Sequence, residues 1–270
     1  TLKMFVSHLS LKDFRSYENL ELSLKTGQNI FIGENGEGKT NIIEALMYLA
    51  LLSSHRISSD QPLIKLGSER AYIRAKIESD ERATLVELEI NNGKANRAKV
   101  NQNPVRSQKE LLGLVKSVCF SPEDLDLVRG DPSERRSFLD QLLIQQSPRL
   151  AGVISDYERA LKQRNSLLKS RAPESSLRSW SDHLATFGGE LIAGRIKLIN
   201  QIEPLFQKAY KNLSAKKPAK LGYKSSIPAP SAEKEVNREL ILKAIDEVKA
   251  QEIERGISLV GPHRDDLLLN

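Results

Sequence analysis

Gly33-Glu34-Asn35-Gly36-Glu37-Gly38-Lys39-Thr40 satisfies the pattern G-x-x-x-x-G-K-[ST]. The apolar run Asn29-Ile30-Phe31-Ile32 precedes it, and Ile42-Ile43, Ala45-Leu46 and Leu49-Ala50 follow at helical spacing. Each fixed position has a physical reason. Glycine permits the turns that aim successive backbone N–H groups at phosphate oxygens, and the helix behind the loop offers its positive end to the same anion. Lys39 is placed to reach the β- and γ-phosphates, and the Thr40 hydroxyl to ligate Mg²⁺. A strand before the loop and a helix after it distinguish a phosphate cradle from a glycine-rich loop with an incidental lysine. The stretch therefore predicts an α/β domain with a nucleotide site at Gly33–Thr40, extended to Asn41 in the first helical turn.

Outward from the loop, the first hundred residues read mainly as β. Leu20, Leu22 and Leu24 alternate with polar residues, Asn29–Ile32 reads as a buried strand, and Ala71–Ile77 and Thr84–Asn91 are further strands. Asn92-Gly93 supplies a hairpin turn into Lys94–Val100, and Val115–Phe120 reads as another inner strand. From Ser121 the pattern turns helical. Ser121-Pro122-Glu123-Asp124 and Asp131-Pro132-Ser133-Glu134 are start signals, the second with Glu134 placed for a capping box. Ser147-Pro148 opens a third helix. A long apolar periodicity from Trp180 to Ile202 predicts another, with Pro204 as its break or kink. Residues 214–232 read as an exposed loop, a last helix ends at Gly256, and Ile257–Val260 and Leu267–Leu269 read as strands. This order predicts a nucleotide-binding lobe, residues 1–120 plus 257–270, interrupted by a helical lobe at 121–256.

Composition narrows the class. Hydrophobic residues make up 39% and charged residues 28%, as in a soluble globular protein, and no run approaches the length that spans a bilayer. The opening Thr1-Leu2-Lys3-Met4 lacks a signal peptide's apolar stretch. The single cysteine, Cys119, rules out an intrachain disulfide and suits a reducing cytoplasm. Four dispersed histidines form no metal-ligand spacing. The net charge is +6, and it is unevenly spread. Arg129–Lys224 holds 18 Lys+Arg against 9 Asp+Glu, a net of +9. Pro204–Ala232 contains no acid, while Lys208, Lys211, Lys216, Lys217, Lys220 and Lys224 accumulate there. Such a bias suits a phosphate backbone, and it equally suits a solvated helix face with a loop.

Hydrolysis by a P-loop protein needs a carboxylate at the end of a second apolar strand. No run of four apolar residues followed by Asp or Glu occurs after Thr40. These 270 residues are therefore expected to bind nucleotide with negligible turnover. Phe187-Gly188-Gly189-Glu190 looks like an ABC signature loop but sits within a helical pattern without the preceding serine, so it reads as helix packing.

Several further stretches carry a family resemblance. They are Leu11-Lys12-Asp13-Phe14-Arg15-Ser16-Tyr17, Phe120-Ser121-Pro122-Glu123-Asp124-Leu125, Gly130-Asp131-Pro132, Arg135-Arg136-Ser137-Phe138-Leu139-Asp140, Leu161-Lys162-Gln163-Arg164-Asn165, and Gly261-Pro262-His263-Arg264-Asp265-Asp266-Leu267. With the P-loop they resemble the RecF family of bacterial recombination mediators, SMC-like ABC ATPases, over essentially the whole chain. The resemblance implies an ABC-type head with a helical lobe inserted into a nucleotide-binding one, whose sheet is mixed and surrounds the P-loop helix. It implies ATP and Mg²⁺ as cofactors, and an ATP-dependent homodimer that sandwiches nucleotide. It further implies binding to single- and double-stranded DNA, slow ATP hydrolysis, and partners of the RecR and RecO type. The family's signature and Asp-rich second nucleotide motifs are expected past Asn270.

By the same resemblance, Arg15 and Ser16 lie at the nucleotide, although a surface arginine on a strand end fits Arg15 as well. Glu123 falls where relatives carry a Q-loop residue near Mg²⁺, and it also suits the first turn of a helix. Arg56 faces DNA or a partner subunit, or complements a helix end. Lys208, Lys211, Lys216 and Lys217 are the candidate DNA contacts of the helical lobe. Arg135-Arg136 and His263-Arg264 fit DNA contacts or internal ion pairs, Asp265 and Asp266 read as structural, and Trp180 and Phe187 as core.

Overall fold

The computed structural model describes residues 4–54, 57, 59–79, 82–213 and 218–270, with Glu123 described by its backbone alone. The chain divides into two compact units, Thr1–Cys119 and Phe120–Asn270. The first is built on β1 (Met4–Phe14), β2 (Tyr17–Ser23), β3 (Arg70–Ser79), β4 (Arg82–Asn91), β5 (Arg97–Val100) and β6 (Asn103–Pro104), with helix α1 (Lys39–Leu51). These strands form a sheet in the order β2-β1-β3-β4-β5-β6, and every pairing is antiparallel. Period-2 alternation decides its faces. Leu9, Leu11, Ala71, Ile73, Ala75, Ile77, Val86, Leu88 and Ile90 are buried in one core with Ile42, Ala45, Tyr48 and Leu49 of α1. Tyr48 is fully buried, and burial pushes its hydroxyl far above its ordinary pKa.

The fold class is α/β, as expected, but two expected inner strands are not formed. Asn29–Ile32 pairs with no described strand, and Ile30 and Ile32 are 77% and 91% exposed. Val115–Phe120 makes only an isolated bridge at Val115, and Val118 and Phe120 are exposed. An inner strand needs hydrogen-bonded neighbours on both sides. The meander supplies none to either segment, so the six-stranded sheet is antiparallel and the isolated Leu112–Val115 bridge is the only parallel pairing among the described residues.

The second unit begins with a 3₁₀ turn, Pro122–Leu125, running into α2 (Asp126–Arg129). It continues with α3 (Pro132–Gln146), α4 (Leu150–Lys169), α5 (Glu174–Leu213) and α6 (Lys234–Arg255), and with the antiparallel pair β7 (Leu221–Lys224) and β8 (Asp266–Leu269). Helix starts fall where proline and serine place them, although Asp131 makes no side-chain cap. The long helix runs through Pro204 as far as Leu213. Gly256 closes α6 at φ 66°. Within 214–232 the sequence signals missed β7 and the buried Ile227. Ile257–Val260 is not a strand.

One expected domain assignment is corrected. Ile257–Asn270 packs in the helical unit instead of joining the nucleotide-binding lobe. β8 pairs with β7, and Val260 and Leu267 belong to the core formed by α3, α4, α5 and α6. Buried polar contacts fix it there. Asp265, fully buried, accepts from the Tyr223 hydroxyl at 2.7 Å, the Ser225 hydroxyl at 3.1 Å and the Ser226 N–H at 2.7 Å. Arg135 grips Asp266 through two bonds of 2.7 and 3.0 Å, which holds that carboxyl below its ordinary pKa. Arg195, itself held by Asp140 at 2.9 Å twice, donates to the Pro262 carbonyl. His263 receives the Tyr157 hydroxyl at Nδ1 and faces the Ser258 carbonyl with Nε2.

Gly188 and Gly189 lie inside α5 at its crossing with α6, which agrees with helix packing and not a signature loop. A Cβ at Gly189 would stand 2.6 Å from the Lys234 carbonyl and 2.9 Å from the Arg238 nitrogen. Trp180 and Phe187 pack against the same core.

Two outcomes follow for the helical unit. Gly189→Ala must push α5 off α6 and is expected to destabilise by about 1–3 kcal/mol. Gly152→Ala in α4, which meets nothing within 4 Å, should gain up to about 1 kcal/mol; urea unfolding compares the two. Burial, with Arg264, Arg136 and Arg164 nearby, lowers the pKa of His263 to about 4. Its folded pKa lies below the unfolded value, so its stabilisation is full above about pH 6.5 and lost progressively as pH falls through about 4. Urea midpoints should drop across that window, and less steeply in His263→Asn.

Candidate nucleotide-phosphate site

The loop 33–38 enters α1 through two glycines in left-handed backbone, Gly36 and Gly38, both at φ 93°. Gly38 is the N-cap residue, and its carbonyl accepts from the Asn41 and Ile42 N–H groups at 2.8 and 3.3 Å. The first N–H groups of α1 lack intrahelical acceptors by geometry, so they are available to an anion beyond the helix end. Lys39 folds back along the loop, and its Nζ donates to the Gly33 carbonyl at 2.7 Å and the Glu34 carbonyl at 2.5 Å. This fixes the ammonium over the loop. Thr40 is exposed at the second helical position. The loop is also braced internally, because the Glu34 N–H donates to the Glu37 carboxylate at 2.9 Å. A Cβ at Gly33 would stand 2.0 Å from that carboxylate oxygen, so a side chain there would have to displace the Glu37 brace.

The β1–β2 turn packs on the loop's far side. Ser16 accepts from the Asn41 side chain at 3.0 Å, and the Tyr17 hydroxyl donates to the Glu37 carbonyl at 3.4 Å. Any Cβ at Gly38 would come within 3 Å of Ser16 and Tyr17. Burial, and then Glu37, raise the Tyr17 pKa.

Arg15 is held elsewhere. Its guanidinium straddles the Glu44 carboxylate at 2.8 and 2.6 Å and donates to the Pro62 carbonyl at 2.9 Å. Glu44 is wholly buried on α1 and also accepts from the Ser54 hydroxyl at 2.5 Å. The structure thus brings Ser16, Asn41 and Gly33–Thr40 together, with Arg15 one step behind the loop. Sequence reading missed Glu44 and Tyr17. The signal for Glu44 was present, since it is an acid inside the apolar stripe Ile42, Ala45, Leu46 and Leu49.

The remaining candidates belong to the second unit or lie outside the described residues. Lys208 and Lys211 are exposed on the last turns of α5. Glu123 belongs to the 3₁₀ turn Pro122–Leu125, with its side chain outside the described residues, as are Arg56, Lys216 and Lys217. No group of three or more metal-ligating side chains occurs among the described residues.

Comparisons agree with this geometry. A family model described as an AAA domain matches residues 8–255. The DNA replication and repair protein RecF of Streptomyces avermitilis is 51% identical over 98% of this chain and 74% of its own length. The protein of the same name from Kineococcus radiotolerans is 48% identical over 98% and 73%. The chain belongs to the RecF family. A solved structure of the recombination mediator RecF with ATP, from the RecFOR pathway, superposes with a TM-score of 0.92 at 26% identity, covering 99% of this chain and 73% of that one. Its RecF-ATPrS counterpart gives 0.90 at 27% identity. The chain thus spans about three quarters of the length of its RecF relatives, and its fold is that of a RecF P-loop ATPase head.

Removing the Arg15 head group would leave the Glu44 carboxylate buried without its fork. Arg15→Ala is therefore expected to destabilise the first unit by about 3–5 kcal/mol, read by chemical denaturation. An Arg15→Ala variant that keeps wild-type stability but loses ATP affinity would instead place Arg15 at the nucleotide.

Proposed function

We infer that the chain binds ATP with Mg²⁺ at Gly33–Thr40 and acts as an ATP-dependent DNA-binding protein of recombinational repair. The observation that carries this reading is the loop's conformation: two left-handed glycines, a free helix N-terminus and a lysine anchored over the loop. Lys39 and the loop N–H groups would hold the phosphates, with Asn41 and Ser16 at the rim. The Thr40 hydroxyl would hold Mg²⁺, which offsets the phosphates' charge, and Glu123 is the further candidate for that ion. The relatives' names supply the repair context, and one solved relative is described as a complex with ATP.

On this reading ATP drives head-to-head dimerisation, and the dimer helps load recombinase at gaps in the cytoplasm with mediators of the RecR and RecO type. Single- and double-stranded DNA are its nucleic-acid partners. Exposed Lys208 and Lys211, with Lys216, Lys217 and Arg56, are the proposed contacts of the second unit and of the segment after α1. Among the described residues no helix is long and apolar enough to cross a membrane.

Lys39→Ala removes the ammonium without touching the core of α1. Calorimetric titration with MgATP should lose detectable binding while the thermal transition stays within a few degrees of wild type; submicromolar affinity in that variant would sink the assignment.

A further inference from the structure

The segment Asn91–Lys109 contains Lys94, Arg97, Lys99, Arg106 and Lys109 and no acid. It forms the β5–β6 edge of the sheet. Ala98 points into the core at 6% exposure, so alternation turns Arg97 and Lys99 onto the outer face, where both are exposed. Arg106 is exposed on the chain that returns after β6. Together with Tyr72, Arg74, Glu87 and Glu89 they line one groove of about 570 Å³ on that face.

Its two carboxylates are already engaged. Glu87 accepts from Arg74 at 2.9 Å, and Glu89 from Arg70 at 3.4 Å. They stand across the ladder from Lys99 and Arg97, yet their bonds run to the other neighbour. The groove therefore carries a surplus of cations: Arg97, Lys99 and Arg106.

We propose that this groove, on the outer face of β3, β4 and β5, binds the phosphate backbone of duplex DNA independently of sequence. Two observations select that occupant. An added peptide strand would dock on the edge strand β6, which is two residues long and contains Pro104, a residue with no N–H to donate. The groove has one aromatic ring, Tyr72, and the Arg74 guanidinium stands over one of its faces 5.4 Å from the centroid, so the groove lacks the successive open rings on which single strands stack. What is left is a row of cations at strand spacing, suited to phosphates and not to bases. The inference rests on the DNA-binding reading above and adds a surface on the nucleotide-binding unit to the lysines of α5.

The test is fluorescence anisotropy with a labelled duplex over a salt series, with and without MgATP. The variants are Arg97→Ala/Lys99→Ala/Arg106→Ala, the charge-preserving Arg97→Lys/Lys99→Arg/Arg106→Lys, and Lys208→Ala/Lys211→Ala. The alanine triple should weaken duplex binding on the order of tenfold or more and flatten the log–log salt slope by about 0.9 per lost contact. The charge-preserving triple should keep both, and scrambled duplexes should bind equally. If wild type binds duplex and the alanine triple matches it in affinity and slope, the groove is excluded while the α5 lysines remain. A wild-type chain that binds no DNA in any condition would remove the DNA-binding reading and this inference together. Loss confined to polyglutamate binding, with DNA binding intact, would reassign the groove to an acidic protein.

Discussion

Glu44 carries a carboxylate into the middle of α1 with no solvent to hydrate it. Left alone, such a group would take up a proton or pull the helix away from the sheet. Arg15 prevents both by gripping it with two bonds, and the same guanidinium reaches the Pro62 carbonyl. Arg15 sits in the β1–β2 turn at φ 54°, and its own N–H is tied to the Leu63 carbonyl at 2.7 Å. One interaction therefore couples the turn, the helix behind the phosphate loop and the segment after it. Ser16 and Tyr17, the next two residues, are thereby set against Gly38. The loop's geometry is thus fixed from behind by a charge pair that need not touch nucleotide itself.

The second unit uses the same device several times. Arg164 pairs with Glu252 at 2.6 Å in the interior, and Arg195 with Asp140 and Arg135 with Asp266 in partly buried positions. Pairs of this kind need not add net stability over an apolar core, but a guanidinium fork accepts only one alignment of its carboxylate. Here they determine which helix lies against which, and they capture Gly261–Leu267. In sequence, His263-Arg264 fit DNA contacts or internal ion pairs, while Asp265 and Asp266 read as structural. In the structure Asp265, Asp266 and His263 each have their partners inside the unit.

What was legible in the sequence is what local chemistry determines. The glycine spacing at Gly33–Thr40, the alternation in β3 and β4, and the cap at Gly256 each carry their structure within a few residues. The readings that failed depended on neighbours. Asn29–Ile32 and Val115–Phe120 have the composition of inner strands, and only a hydrogen-bonding partner could have made them so. Pro204 removes one donor from α5, but the helix already runs for thirty residues before it, and its packed N-terminal part carries the end through. The order of elements, with strand-like runs at Ile257–Val260 and Leu267–Leu269 after the helices, points Ile257–Asn270 to the first lobe, whereas arginines from α3 and α5 decide where it packs.

Charge shows the same division. Counted along the chain, Arg129–Lys224 is the basic region, with a net of +9. Four of its arginines, 135, 136, 164 and 195, are turned inward onto carboxylates, hydroxyls and carbonyls. They contribute to that count without offering a full charge to a ligand. Asn91–Lys109 has the smaller total, yet alternation in a strand whose other face is filled by Ala98 puts its cations outside. Burial, and not the number of Lys and Arg, therefore decides how much of a segment's charge a phosphate backbone can meet. On that criterion the nucleotide-binding unit bears a basic surface that the net charge of its sequence conceals.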